Sequence, residues 1–259
     1  MKIIACIKQV PDSEAKVKAE NGKVLWGDAP LVINPFDEYA VEGALQQREA
    51  QSGSTVTALC IGPESAKEAL KHALAMGADE AVLVSDAALN ELDTVGAARV
   101  LAAAIQKIGG VDMVVFGRQT LDMGSGLTPA QTARVIGWPM LGLAGQIKVD
   151  TAAGSVQVER VIEEGRQSVK ANLPAVISVV QSIGEPRYPS FMGIRKAGKA
   201  TIPVWSLSDL GVSAPAPLVT RSELLNPPAR EMAIEIITGD SPEAIAETLV
   251  EKILAEKVL

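Results

Sequence analysis

The sequence predicts an α/β fold whose core is a mostly parallel sheet, followed by a β-hairpin and an extended C-terminal arm. Short apolar runs alternate with longer helical patterns over residues 1–136, an order typical of strands joined by crossover helices. The runs are almost wholly apolar, as in strands that are buried on both faces. A strict alternation of apolar and polar residues follows near residue 156, and proline and glycine become frequent after residue 183.

Strand and helix patterns follow one another through the first half of the chain. The predicted strands are Lys2–Ile7, Thr55–Cys60, Ala81–Val84 and Val111–Phe116. The predicted helices are Asp37–Ala50, Glu64–Met76, Thr94–Ile108 and Thr128–Ile136. The first helix places Ala40, Val41 and Ala44 on one face, as a helix packed on a sheet requires. The alternation predicts a Rossmann-like, mostly parallel sheet with helices on both faces.

A β-hairpin is predicted after these elements. Val156 and Val158 alternate with polar residues, and the alternation resumes at Gln167 and Val169 after a polar turn at 163–165. Pro174 introduces the apolar run 175–180, which suits a buried strand.

The C-terminal part of the sequence has few periodic runs. Residues 184–199 are rich in Pro, Gly and basic side chains, and long irregular segments are usually functional loops or arms. A helix is predicted at the end, with Ser241 as N-cap and Pro242 at the first helical position. Two interpretations of this part stay open: an extension that needs a partner, and a surface excursion of the same domain.

Composition excludes several classes of function. The chain has 259 residues, a net charge of −7 and a pI near 4.9, which disfavours nucleic-acid binding because that needs clustered cations. Cys6 and Cys60 have no disulfide or zinc spacing, and the single His72 has no triad partner at a readable spacing. We expect no catalytic residues, no metal site, no membrane insertion and no targeting segment, hence a cytoplasmic protein.

Three segments are predicted to lie at the carboxyl ends of the parallel strands, where α/β sheets bind ligands. The segment 34–37 is either a plain helix start capped by Asn34 or an anion site at the helix N-terminus. The loop 117–128 offers glycines and hydroxyls ahead of a helix, with a predicted capping box at 128–131. Ile61 follows the second strand, and Cys6 and Lys8 lie at the end of the first.

The hairpin spacing is specific. Val158-x-Arg160, Glu163-Glu164-Gly165, Gln167, Val169 and Pro174-x-Val176-Ile177-Ser178 together resemble the signature of the electron transfer flavoprotein β subunit family. Further matching motifs are CIKQVPD, INPFDEYAVEGAL, ALAMGAD, Trp138-Pro139 and EPRY, so the resemblance covers nearly the whole chain. It implies an adenine nucleotide α-hydrolase-like fold and an adenine nucleotide bound by this chain. The implied nucleotide-binding residues are Cys6, Asn34, Pro35, Phe36, Asp37, Ile61, Gly117, Arg118, Gln119, Thr120, Leu121, Asp122, Met123, Gly124, Ser125, Gly126, Leu127 and Thr128.

The resemblance also implies cofactors. AMP is implied in this chain, and a second FAD is the alternative found in electron-bifurcating members, which use NADH as donor. Residues 123–129 match the loop pattern of neither branch cleanly, whereas Trp138-Pro139 is typical of the AMP-binding branch. The redox FAD is shared with an α subunit, with Arg160 and Gln167 facing that interface. Asp12 and Ser13 belong to a further loop that approaches the flavin.

Partners follow from the same resemblance. The implied domains are a nucleotide-binding domain at 1–183, a partner recognition loop at 184–200, and an arm at 201–259 that packs on the α subunit. The implied recognition residues are Tyr188, Phe191, Met192, Arg195 and Lys196, with Phe191 as the apolar anchor unless it folds inward. Electrons would come from flavin dehydrogenases such as acyl-CoA dehydrogenases and pass to a quinone-linked oxidoreductase. A stand-alone adenine-nucleotide-binding regulatory protein is a further alternative.

Overall fold

The structure, a computed structural model, describes residues 1–89, 92–220, 222–228 and 234–256. The chain divides into two compact units, residues 1–224 and residues 225–259. The strands are β1 (Lys2–Ile7), β2 (Gln9–Pro11), β3 (Lys18–Glu20), β4 (Lys23–Leu25), β5 (Leu31–Ile33), β6 (Thr55–Ile61), β7 (Glu80–Val84), β8 (Met113–Gly117), β9 (Met140–Asp150), β10 (Ser155–Ile162), β11 (Gly165–Asn172), β12 (Ala175–Val179) and β13 (Val204–Trp205). The helices are α1 (Pro35–Ala50), α2 (Lys67–Met76), α3 (Thr94–Ile108), α4 (Thr128–Ile136), α5 (Phe191–Lys199), α6 (Leu207–Leu210) and α7 (Pro242–Ala255).

The described residues of the first unit form a nine-stranded sheet in the order β11-β10-β9-β12-β8-β1-β6-β7-β13. The seven strands β9, β12, β8, β1, β6, β7 and β13 pair with one another in parallel. The hairpin strands β10 and β11 extend the sheet beyond β9, and both pair in antiparallel orientation. The predicted mostly parallel α/β fold is therefore confirmed. The predicted hairpin is formed by β10 and β11, and Val158 lies opposite Val169, so the apolar positions of both strands share one face.

Helices cover both faces of this sheet. On one face, α1 and α2 pack small and aliphatic residues, such as Ala44 and Leu70, against Ile3 and Ala5 of β1. On the other face, α3 and α4 pack against residues that include Ile4 of β1. Because both faces of the central strands are buried, their sequences are continuously apolar instead of alternating.

Several short elements (β2 to β5, β13 and α6) were not predicted, and neither were two longer ones, β9 and α5. Strand β9 contains Gly142 and Gly145 and bends at a bulge where Leu143 has a φ of 59°, so its sequence lacks a clear alternation. Residues 191–199, predicted as an irregular loop, form the helix α5. This helix contains two glycines, which lower its intrinsic propensity, and it packs closely on α2.

The second unit contains the predicted C-terminal helix, α7. The Ser241 hydroxyl accepts a hydrogen bond from the amide of Ala244 at 3.2 Å, and Pro242 begins the helix. Both capping predictions are thus confirmed. The last three positions of the arm, 257–259, lie outside the described residues.

Candidate functional site

The candidate site lies at the carboxyl ends of β1 and β8, which are neighbours in the sheet. From β1 the chain proceeds to β6 and β7 on one side and then returns to β8 on the other side. The loops that leave β1 and β8 therefore diverge, and a crevice is expected between them. Ligands of open α/β sheets bind in such a crevice.

Asn34 joins two of the predicted segments. Its fully buried side chain donates from Nδ2 to the carbonyl of Gln119 at 2.9 Å and accepts from the amide of Leu121 at 3.0 Å. The prediction that this side chain caps α1 is wrong, because the loop uses both of its polar atoms; the amide of Asp37 instead bonds to the Asn34 carbonyl. Asn34 thus fastens the 117–128 loop to the start of α1.

Asp37 makes a second connection in the same place. Its buried carboxylate accepts a hydrogen bond from the amide of Lys8 at 2.8 Å and also bonds to the backbone of Gly117. Burial raises the pKa of Asp37 from its ordinary value near 3.8 to about 7. Hydrogen bonds from Asn34, Lys8 and Gly117 lower the pKa, but burial has the larger effect. One carboxylate therefore ties the ends of β1 and β8 to α1.

Glycine is required at the end of β8. A Cβ atom at Gly117 would lie 2.5 Å from the carbonyl oxygen of Phe36 and 2.6 Å from the carboxylate of Asp37. Later in the loop, Gly124 and Gly126 both have φ angles of 63°, a region that disfavours other residues. Gly117 thus lets the loop pass directly against α1, and Gly124 and Gly126 adopt left-handed conformations that cost other residues free energy.

Asp122 is the charged group inside the loop. Its Oδ2 lies 2.5 Å from Nζ of Lys8, and its side chain is only 14% exposed. Its other oxygen, Oδ1, is buried and has no hydrogen-bond partner among the described residues. Most buried polar atoms in folded proteins have a hydrogen-bond partner, so this oxygen is an exception within the loop. Lys8 and Asp122 thus link the end of β1 to the 117–128 loop through a pair of opposite charges.

The remaining predicted nucleotide residues surround this crevice. Cys6 is buried at the end of β1, where burial first and the charge of Asp37 second raise the pKa of its thiol. The Arg118 guanidinium lies 5.6 Å from the centre of the Phe36 ring. Pro35 is the first residue of α1 and Ile61 the last of β6. The carbonyl of Thr120 accepts a hydrogen bond from the amide of Gly124 at 2.8 Å. The apolar side chains at Leu121, Met123 and Leu127 are exposed, as is Ser125.

The predicted capping box at the end of the loop is wrong. Helix α4 begins at Thr128 itself, its N-cap residue is Leu127, and no side chain caps it. The amide of Gln131 bonds to the carbonyl of Leu127 at 3.0 Å. The predicted hydrogen bonds between the Thr128 hydroxyl and the first amides of α4 are therefore not formed.

A second surface lies on α5 and the residues before it. The side chains of Tyr188, Phe191 and Met192 are 94%, 80% and 67% exposed. Arg195 and Lys196 are exposed one turn later. Phe191 points outward and is not folded into the core. The predicted recognition residues thus share one solvent-exposed surface, presented by a helix.

Comparison with known proteins assigns the family. Residues 24–210 match the electron transfer flavoprotein domain family. The chain is 33% identical to the electron transfer flavoprotein subunit beta of Megasphaera elsdenii and 34% identical to the caffeyl-CoA reductase-Etf complex subunit CarD of Acetobacterium woodii, in each case over the full length of both chains. It is 38% identical to the subunit beta of Mycobacterium bovis, over 82% of this chain and 81% of that protein.

The chain belongs to the electron transfer flavoprotein β subunit family. Its function is electron transfer, as the resemblance in the hairpin predicted. The matched range contains the 117–128 loop, the hairpin and α5. Across the described ranges, no helix has the length and apolarity to cross a membrane, and no group of three or more His, Cys, Asp or Glu side chains could hold a metal ion.

The hairpin of this electron transfer flavoprotein β subunit holds its arginine firmly. Arg160 lies opposite Gln167 in the β10–β11 ladder and donates from Nη1 to its Oε1 at 3.3 Å. Its Nε donates to the carbonyl of Gly142, next to the bulge of β9, at 3.0 Å. The guanidinium is thus fixed by two strands at the end of the sheet that carries the hairpin.

Sequence reasoning did not identify Lys8 and Arg187 as site residues. Lys8 pairs with Asp122 across 114 positions, and Arg187 binds two carboxylates of α1. Both residues stand in motifs that carry the family resemblance, CIKQVPD and EPRY. The sequence signal that could have identified them is a basic side chain within an otherwise apolar or proline-rich motif.

Proposed function

We propose that this chain is the β subunit of a heterodimeric electron transfer flavoprotein that carries electrons through FAD held jointly with an α subunit. One observation supports the proposal most: a member of this family combines the 117–128 loop at the carboxyl edge of its sheet with an exposed apolar surface on α5. Electron transfer needs cofactors at tunnelling distance and a docking surface, not an acid, base or nucleophile of the protein.

AMP is the nucleotide we propose for the crevice. Asn34 and Asp37 fix the loop, and Gly117 gives it room against α1. Asp122 holds the ammonium group of the partly exposed Lys8 beside this loop, where it would supply positive charge near a phosphate. Bound AMP would stabilise the loop and, through α1, the first unit.

The shared FAD is proposed to lie near the groove formed by residues 12–16 and 26–30, which has a volume of about 730 Å³. FAD supplies the electron-accepting and electron-donating chemistry when bound. In this chain, Asp12 and Ser13 line the groove. Arg160, which the hairpin holds through the carbonyl of Gly142, is proposed to face the α subunit. Their role is to orient the flavin and to exclude water from one side of it.

The α5 surface is proposed to bind the electron donors, which are flavin dehydrogenases such as acyl-CoA dehydrogenases. Phe191 is the apolar anchor, surrounded by polar and glycine residues. Arg195 and Lys196 would attract an acidic partner surface. A quinone-linked oxidoreductase is the proposed acceptor.

Cofactor counting tests this proposal. The chain is co-expressed with its α subunit, the purified heterodimer is denatured, and released FAD and AMP are quantified by chromatography. We expect one FAD and one AMP per heterodimer. Asp122→Ala should lower the AMP content and leave FAD unchanged, whereas the exposed Asp150→Ala should change neither. A heterodimer that releases no flavin contradicts the proposal, as does a chain that binds AMP alone and forms no heterodimer.

A second candidate is an electron-bifurcating subunit that holds a second FAD in place of AMP and uses NADH as donor. One observation favours it: the chain aligns over its full length with the CarD subunit of a caffeyl-CoA reductase-Etf complex. Two FAD molecules and no AMP per heterodimer, with flavin reduction by NADH, would establish this candidate in place of the first.

A further inference from the structure

The segment before α5 lies directly on α1. Nε2 of Gln46 donates to the carbonyl of Ile183 at 3.2 Å. Gly184 follows with a φ of 141°, and a Cβ atom there would lie 2.6 Å from the same Nε2. The main chain thus touches the helix at the point where the recognition segment begins.

Arg187 then binds two carboxylates of α1 at once. Its Nε and Nη2 donate to the two oxygens of Glu42 at 2.8 and 3.0 Å. Its Nη1 and Nη2 donate to the oxygens of Glu49 at 2.5 and 3.3 Å. The amide of Arg187 also donates to Glu42 at 3.2 Å. Glu42 and Glu49 lie seven positions apart, which is two turns of one helix face.

The contact with Glu42 is the buried half of this arrangement. The Glu42 side chain is 7% exposed, and that of Glu49 is 52% exposed. Burial disfavours the Glu42 carboxylate, but the hydrogen bonds and charge of Arg187 outweigh it and lower the pKa of Glu42. If Arg187 left this position, the buried Glu42 carboxylate would have no positive partner, which costs free energy. The segment that carries Arg187 is therefore held at this one position on α1.

The other end of the segment is fixed on α2. The hydroxyl of Ser190 caps α5 by accepting from the amide of Gly193 at 2.9 Å. A Cβ atom at Gly193 would lie 2.3 Å from the carbonyl oxygen of Ala75, so α5 touches the end of α2 directly. Ala197 is buried in the same contact.

Tyr188 and Phe191 therefore lie between two fixed points, Arg187 on α1 and Gly193 on α2. We propose that Arg187 is a positioning residue that holds the exposed Tyr188–Phe191 surface in the geometry its dehydrogenase partner binds. The inference rests on the docking role given to α5 above. Preorganisation of this kind removes the cost of ordering the segment when the partner binds, so it acts on affinity.

The first experiment measures the position itself. Hydrogen exchange is followed in the purified heterodimer for the parent and for Arg187→Met, Arg187→Lys and Glu49→Gln. We expect faster exchange at residues 188–199, largest in Arg187→Met, and unchanged exchange in β1, β6 and β8. Arg99→Met, an equal change of charge on the exposed face of α3, is the control and should change nothing. Unchanged exchange at 188–199 in Arg187→Met would overturn the inference.

The second experiment separates position from direct contact. Electron transfer from a purified acyl-CoA dehydrogenase, reduced by its substrate, is measured against heterodimer concentration. We expect Arg187→Met to raise KM by about tenfold, a typical loss at an interface anchor, and to leave kcat unchanged. Arg187→Lys should restore part of the loss. In Arg187→Met/Phe191→Ala the two effects should be less than additive, since one acts through the other.

The outcomes distinguish the inference from the docking proposal. If Phe191→Ala raises KM and Arg187→Met does not, Arg187 has no positioning role while the docking surface stands. If Phe191→Ala leaves KM unchanged, the docking proposal itself fails. Full additivity in the double variant would show that Arg187 acts on the partner independently, and it would overturn the inference.

Discussion

At the scale of single residues, the site depends on side chains that connect segments distant in the sequence. Asn34 bridges to Gln119, and Asp37 bridges to Lys8 and Gly117. Each of these contacts is between polar atoms that would cost free energy if they were buried without partners. The 117–128 loop therefore has a defined position against α1.

Asp37 should make the stability of the first unit depend on pH. Burial raises the pKa of its carboxyl to about 7, so the fold favours the protonated form. The stabilisation is complete below the unfolded pKa near 4 and is lost as the pH rises through about 7. Lys8, Cys6 and Cys60 are the other titratable groups that interact with it, and burial also keeps both thiols protonated over this range.

Asp37→Asn tests this prediction because it removes the titration. The unfolding free energy of parent and variant is measured by urea denaturation between pH 5 and pH 8. We expect the parent to lose about 3 kcal/mol relative to the variant over this range, at about 1.36 kcal/mol per unit of pKa difference. Any pH-independent cost of the amide cancels in the slope. Parallel curves would show that Asp37 titrates as in the unfolded chain.

The residues of this site were only partly predictable from the sequence. The apolar runs indicated which segments end at the same edge of the sheet, and so Asn34–Asp37 and the 117–128 loop were expected to meet. The partner of each side chain was not predictable, because it depends on the placement of β8 beside β1, which α3 and its crossover establish. For this reason a capping role was assigned to Asn34, whose side chain instead binds the loop.

At the scale of elements, α1 serves both candidate surfaces. Asn34 at its N-cap position and Asp37 in its first turn lie at the proposed nucleotide site, and its later turns carry Glu42 and Glu49, which bind Arg187. The helix α1 was predicted from its periodicity, whereas α5 was not predicted. The sequence of α5 does carry helix signals, with Ser190 as N-cap and lysines in its last turn, but its two glycines and the prolines before it obscured them. Packing on α2 adds to these signals.

Two glycines of α5 provide a matched pair of substitutions. A methyl group at Gly193 would overlap the carbonyl of Ala75, whereas one at Gly198 would meet no atom within 4 Å. Gly193→Ala should therefore displace α5 from α2 and weaken dehydrogenase binding by about tenfold. Gly198→Ala should stabilise the helix by up to about 1 kcal/mol and bind as tightly as the parent.

Surface plasmon resonance with an immobilised acyl-CoA dehydrogenase measures both affinities, and circular dichroism checks that both heterodimers are folded. Equal affinities for the two variants would show that contact with α2 does not set the position of α5. A gain in affinity in Gly193→Ala would indicate that the surface binds better when it is free to move.

At the scale of the whole molecule, the second unit differs from the first. The first unit has a core on both faces of its sheet, whereas α7 has no buried residue. Leu249, Val250 and Leu254 on this helix are all exposed. An aliphatic surface on a helix without a core is typical of a segment that is completed by another chain, and we propose the α subunit as that chain.

Substitution of this aliphatic surface should weaken the heterodimer without unfolding the sheet. In Leu249→Asp/Leu254→Asp, two side chains that would be buried against the α subunit become charged. Each such loss is on the order of 1–2 kcal/mol, so the dissociation constant should rise at least tenfold. Sedimentation equilibrium measures that constant, and the melting temperature of the first unit, which holds the core, should stay unchanged. Glu247→Gln, also exposed on α7, is the control and should keep the parental affinity. A double variant that dimerises as tightly as the parent would place the α subunit elsewhere and leave α7 exposed in the assembled protein.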